Sequence, residues 1–154
     1  MSKEIVIVAA KRTPMGAFQG SLAPVSATDL GATAIAGAIK SSGVKPDAID
    51  EVYMGCVLPA ALKQAPARQA SLGAGIGEEV PCTTVNKVCG SGMKAVMLAA
   101  DQIKAGSAEV VVAGGMESMT NAPYMLEKAR SGFRMGHGEI YDHMFLDGLQ
   151  DAYD

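Results

Sequence analysis

Apolar positions recur along this chain in two rhythms, and the rhythms alternate. Ile5-Val6-Ile7-Val8-Ala9-Ala10 is an unbroken apolar run rich in β-branched residues, which predicts a buried strand. A Gly-, Pro- and Thr-containing loop follows over residues 11–24. Ser26, with Asp29 three positions on, forms a capping-box variant that predicts a helix start. That helix runs to about residue 40, with Leu30, Ala34, Ile35, Ala38 and Ile39 on its apolar face and Gly43 as its stop. Pro46-Asp47-Ala48-Ile49 predicts a short helical turn, and residues 51–57 a second strand. An Ala-lined helix is expected over residues 65–72, ended by Gly73-Ala74-Gly75-Ile76-Gly77. Residues 82–88 read as a third strand and 90–104 as a helix with Met93, Val96, Met97, Ala100 and Ile103 at helical spacing, capped by Gly106. Residues 109–115 read as a fourth strand.

Strands alternating with helices define an α/β fold, a mainly parallel mixed sheet with helices on its faces. The pattern changes after Gly115. Residues 116–154 mix Gly, Met, charges and both histidines, and the periodicity weakens. This stretch reads as a loop-rich extension or the start of a second subdomain, so the expected division is 1–120 and 121–154. No internal repeat or low-complexity tract is found.

Composition narrows the class. At 154 residues the chain is one ordinary domain by length, long enough to hide roughly 70% of its unfolded surface. Hydrophobic residues at 49% against 19% charged exclude a disordered protein. Aromatics are 5% with no Trp, so the core is aliphatic and the ten Met help fill it. The net charge of −3, without a basic stripe, argues against nucleic acid as a partner. No 18-residue apolar run is present, so no membrane span is expected. The first strand begins almost at once, leaving no room for a signal peptide. Three cysteines without metal-ligand spacing fit a reducing cytoplasm better than a disulfide framework.

The chemistry concentrates at Cys89, where a strand-like run meets the small residues Gly90-Ser91-Gly92 and a helix begins. A helix N-terminus offers unpaired N–H groups and partial positive charge, which favour a thiolate. The local pattern fits a nucleophile forming a thioester and equally a small buried residue at a junction. Cys56 lies inside an apolar run and reads as core, and Cys82 as structural. A zinc site is not expected, because Cys82 and Cys89 lack close paired spacing. Gly90-Ser91-Gly92 lacks the Gly-Lys-Ser/Thr of a phosphate loop. Lys94 reads as a solvated or intersubunit residue, and Arg12, Lys63 and Arg68 as surface or interface charges. His137 and His143, the only histidines, are expected as exposed loop residues rather than bases for Cys89. Glu117 and Ser118, after a strand end, are expected to brace the Cys89 loop, with contact to the pocket as the alternative, and Met116 and Met119 as packing.

Four stretches, in order, carry a family resemblance. Asn86-Lys87-Val88-Cys89-Gly90-Ser91-Gly92-Met93-Lys94-Ala95 closely resembles the nucleophile motif of the thiolases. Gly114-Gly115-Met116-Glu117-Ser118-Met119-Thr120 resembles their second N-terminal signature, and residues 12–22 the loop after their first strand. Asp147-Gly148-Leu149-Gln150-Asp151-Ala152 is similar to the start of their substrate-covering loop domain. The resemblance implies a thiolase N-terminal α/β domain over 1–120 and the beginning of the loop domain over 121–154. It is strongest to the branch that condenses acetyl-CoA, and Asn86-Lys87-Val88 with Gly115-Met116-Glu117 favour it over the ketoacyl synthases. It implies a reversible condensation of two acetyl-CoA to acetoacetyl-CoA and CoA, with no cofactor and no metal, in a homodimer or homotetramer. Cys89 would hold the acyl group, with its backbone N–H helping to bind the oxyanion, and Leu149 matches a position on the CoA side of the pocket. The strand at 82–88 resembles the one that pairs across the family's dimer. The family's later Gly-His-Pro, Cys-x-Gly and Asn-Glu-Ala-Phe motifs do not occur in these 154 residues. The expectation is therefore an N-terminal fragment without turnover of its own, and the alternative is a non-catalytic thiolase-like module that only associates.

Overall fold

A computed structural model describes residues 4–153. Its centre is a three-stranded parallel sheet of β1 (Glu51–Gly55), β2 (Cys82–Val85) and β3 (Val111–Gly115), in the order β2-β1-β3. Tyr53 of β1 stands opposite Thr83 on one side and Ala113 on the other. Every β1 residue after Glu51 is buried, as a central strand covered on both faces requires.

The helices α1 (Ala27–Ser42) and α2 (Pro66–Gly73) pack together and α3 (Ser91–Ala105) packs on β1 and β3. Side chains alternate across a strand, so β1 feeds two cores. Val52, Met54 and, just beyond the strand, Cys56 join Ala27, Ile35, Ala67, Ala70 and Met116. Tyr53 faces the other way, onto Ala95 and Ala99 of α3. The small α3 residues let the helix lie close to the sheet, and Gln102 donates to the Tyr53 hydroxyl at 2.9 Å.

The predicted helix signals appear as geometry. The Ser26 hydroxyl accepts from the Asp29 N–H at 3.1 Å, and Gly43 and Gly106 close α1 and α3 in left-handed conformations. The turn at Pro46–Ala48 is one turn of 3₁₀-helix. Asp50 accepts from the Glu109 and Val110 N–H groups at 2.7 and 2.9 Å, tying the entrance of β1 to that of β3.

The expected first strand is not formed. Residues 5–10 lie outside any sheet, and Val6, Ile7 and Val8 are 65%, 78% and 63% exposed. β-branched residues prefer extended backbone, but a strand exists only with a ladder partner, and among the described residues β3 pairs with β1 alone. The three sheet strands are also shorter than their apolar runs: β1 stops at Gly55, β2 at Val85, and β3 begins at Val111.

Beyond β3 the chain forms a 3₁₀ turn at Met119–Asn121, an antiparallel pair of two-residue strands, β4 (Tyr124–Met125) and β5 (Tyr141–Asp142), and one π-helical turn at Phe145–Leu149. Among the described residues no helix is long and apolar enough to cross a membrane.

Candidate functional site

The carboxyl ends of β1 and β3 meet the N-terminus of α3, and glycine makes the meeting possible. A Cβ on Gly55 would stand 2.7 Å from the backbone of Ser91 and Gly92, and one on Gly115 would stand 3.3 Å from the Gly92 Cα. The first turn of α3, whose N–H groups have no intrahelical acceptor, is thereby seated on the strand ends.

Cys89 immediately precedes Gly90, the N-cap of α3, and is exposed. The turn leading to it is not the strand its sequence suggests. Val88 has φ +47°, a left-handed conformation that is a genuine outlier for a β-branched side chain. The surroundings fix that conformation. The Val88 N–H donates to Asn86 Oδ1 at 2.9 Å, and the Ser91 Oγ accepts from Lys87 N–H at 2.9 Å while donating to the Val88 carbonyl at 2.5 Å. Strained backbone of this kind gathers at reactive sites. Neither feature was visible in the sequence: Val88 reads as strand, and Ser91 reads only as a small residue.

The Cys89 side of the junction opens into a cavity of about 280 Å³ lined by Gly55, Val57, Val88, Cys89, Ser91, Gly92, Gly115, Met116 and Glu117. A larger cavity of about 410 Å³, bordered by residues 11–18 and α1, shares Gly115, Met116 and Glu117 with it but does not contain the thiol. The smaller cavity is therefore the candidate site.

Glu117 is expected to brace the Cys89 loop, and the structure corrects this. Its carboxylate accepts from the N–H groups of Val57 and Leu58 at 2.8 and 3.0 Å, and Cys56 Sγ lies 3.6 Å from Oε1. It braces the segment after β1, which forms another wall of the same cavity. Ser118 holds Asn121, whose amide also reaches the Ala23 and Val25 carbonyls.

His143 is also corrected. It is buried at 5% exposure, not an exposed loop residue. Its Nδ1 lies 2.6 Å from Asp147 Oδ2, one turn away in sequence, and its Nε2 has no protein partner. His137 is exposed, and neither histidine lines the Cys89 cavity. Leu149 ends the π-helical turn, 54% exposed and outside the cavity lining. The turn nevertheless reaches the site's border, because a Cβ on Gly148 would lie 3.2 Å from Leu58. Among the described residues no group of three or more His, Cys, Asp or Glu side chains is placed to hold a metal.

Two of the cysteines are packing residues. Cys82 Sγ contacts the Val80 carbonyl at 3.4 Å. Cys56 is buried, and burial first, then the Glu117 charge and hydrogen bond, push its thiol up to about 12 from an ordinary 9.0. An unfolded chain releases that proton near 9.0, whereas the folded chain holds it to about 12. This group therefore favours the folded state below pH 9.0 and loses that contribution as the pH rises toward 12. Chemical denaturation from about pH 8 to about pH 11 should show a shallower loss of stability in Cys56→Ala than in the unaltered chain. Equal slopes would refute the assignment.

The chain is thus a parallel α/β protein that carries an exposed cysteine after a strained turn, at the start of a helix. Residues 5–154 match the family described as "Thiolase, N-terminal domain", and the chain belongs to the thiolase family. It is 54% identical over 154 residues to an acetyl-CoA acetyltransferase of Schizosaccharomyces pombe, covering 100% of this chain and 39% of that protein. It is 58% identical over 151 residues to acetyl-CoA acetyltransferase 2 of Arabidopsis thaliana, covering 98% and 38%. The crystal structure of the Acat5 thiolase from Ascaris suum in complex with coenzyme A superposes with a TM-score of 0.91 at 41% identity, covering 95% of this chain and 38% of that one. The chain thus spans well under half the length of these relatives.

Proposed function

We propose that this chain supplies the nucleophile of an acetyl-CoA acetyltransferase. Cys89 takes an acetyl group from acetyl-CoA as a thioester, and a second acetyl-CoA, as its carbanion, removes it to give acetoacetyl-CoA. The reaction is reversible. CoA thioesters are the substrates and neither metal nor cofactor takes part. The observation that carries this reading is the exposed Cys89 thiol on its locked turn at the mouth of an open cavity. Attack on a thioester carbonyl generates an oxyanion beside the start of α3, where the Cys89 backbone N–H helps to receive it. Leu149 serves the CoA side of the pocket, residues 121–154 begin the loop that covers substrate, and the working enzyme is a cytoplasmic homodimer or homotetramer acting in lipid metabolism. The activating histidine and second cysteine of the family's pattern are not among these residues, so the chain alone accepts an acetyl group without completing the cycle.

Intact-mass spectrometry after incubation with acetyl-CoA tests this. One acetyl group per chain, mapped to Cys89, is the expected result. Sustained acetoacetyl-CoA cleavage by the chain alone would overturn the claim that it does not turn over. A chain with no adduct and a freely alkylated Cys89 would leave the second reading, an association module. That reading is favoured by the exposed Met93, Val96 and Met97 along one side of α3.

A further inference from the structure

Two thiols flank the same short stretch of structure, and only one is free to react. Cys89 is exposed, whereas Cys56, the residue directly after β1, is buried beneath the cavity wall. Glu117 stands between these situations. It is half-buried, lines the cavity with Cys89, and turns its carboxylate onto the segment of Cys56, Val57 and Leu58.

We propose that Glu117 is a positioning residue that selects the reacting thiol: by binding the Val57 and Leu58 amides and meeting the Cys56 thiol, it fixes the wall beside Cys89 and keeps Cys56 out of the chemistry. The geometry supports each part. The two N–H groups lie beyond the end of β1, where the parallel ladder no longer supplies acceptors, and a buried N–H without a partner is costly. One carboxylate satisfies both, at 2.8 and 3.0 Å, because its two oxygens can serve neighbouring donors. The same oxygen that binds Leu58 faces the Cys56 sulfur. Burial comes first in opposing the Cys56 thiolate that an acyl thioester or an alkylating agent requires, and a carboxylate there adds to it by opposing a second negative charge. Cys89 lies in the same cavity without such a contact, and the difference between the thiols becomes a difference in reactivity. The inference rests on Cys89 as the nucleophile only for its purpose; its test needs no acyl transfer.

A chain carrying Cys82→Ser and Cys89→Ser leaves Cys56 as its one thiol, whose thiolate absorbance can be titrated. Adding Glu117→Gln, which keeps the shape but removes the charge and one acceptor, should lower the half-point by about one pH unit or more. With all three cysteines present, iodoacetamide should label Cys56 roughly tenfold faster in Glu117→Gln than in the parent. An unchanged half-point, or Cys56 labelled as fast as Cys89 in the parent, would overturn the proposal. If Glu117→Gln fails to fold, amide hydrogen exchange on the unaltered chain decides instead. The Val57 and Leu58 amides should exchange as slowly as those inside β1, and fast exchange at both would refute the clamp.

Discussion

Replacing Cys89 by alanine should reduce acetyl transfer from acetyl-CoA to below about 1% of the parent rate, because no other group near the cavity can take its place. Glu117 is the other ionisable residue in the lining, and its carboxylate is already committed to the Val57 and Leu58 amides. Cys56 is buried with its thiol held up to about 12, so it does not substitute. Serine should fail almost as completely as alanine, since a hydroxyl needs a base to become a nucleophile and neither histidine reaches the cavity. Stability should hardly move, because Cys89 is exposed and contributes little packing. The measurement is a time course of acetyl incorporation by intact mass, with thermal unfolding alongside. Acetyl incorporation by the alanine variant at the parent rate would end the assignment of Cys89 as acceptor.

Gly55→Ala is expected to be the most damaging single-methyl addition in the chain. The new carbon would stand 2.7 Å from the Gly92 nitrogen, the Ser91 carbonyl carbon and the Ser91 Cβ, none of which is the end of a flexible side chain. The start of α3 must therefore back away from β1. Overpacking of this kind costs about 1–3 kcal/mol, and the rigid backbone on the other side places Gly55 at the upper end. The same displacement disturbs the Ser91 bonds that hold Val88 and so shifts Cys89, linking a stability loss to a loss of acetyl acceptance. Gly37→Ala is the control. It lies within α1, and its added carbon would meet only the flexible Lys11 side chain at 3.6 Å, so it should stabilise by roughly 0.5–1 kcal/mol. Equilibrium denaturation of both variants measures the pair, and a neutral Gly55→Ala would show that the contact between β1 and α3 is soft.

These two glycines also mark what could be read without coordinates. The helix boundaries were legible because capping chemistry is local: Ser26 with Asp29, Gly43 and Gly106 each act within a few residues of themselves. The position of Cys89 at a helix start was legible for the same reason. The strands were read too generously, because an apolar run reports a preference for extended backbone while a ladder depends on neighbours far away in sequence. Residues 5–10 have the preference without the ladder, and residues 86–88 leave the strand to make the Cys89 turn. The Glu117 clamp was not legible in its true direction. Its partners lie about 60 residues earlier, and only the pairing of β1 with β3 brings them together. The burial of His143 was not legible either, because a polar side chain in an aperiodic segment carries no sign of the Asp147 partner that the fold brings to it.

The unpaired run at residues 5–10 bears on how this chain behaves at high concentration. Its six consecutive apolar residues carry no charge or proline, and Val6, Ile7 and Val8 are exposed, which matches the composition of segments that stack into cross-β fibrils. Among the described residues β3 pairs on one side alone, so its other side offers a second place for such pairing. Ile7→Lys, which puts a charge in the middle of the run, should slow aggregation of this chain, read by light scattering against the parent at equal concentration.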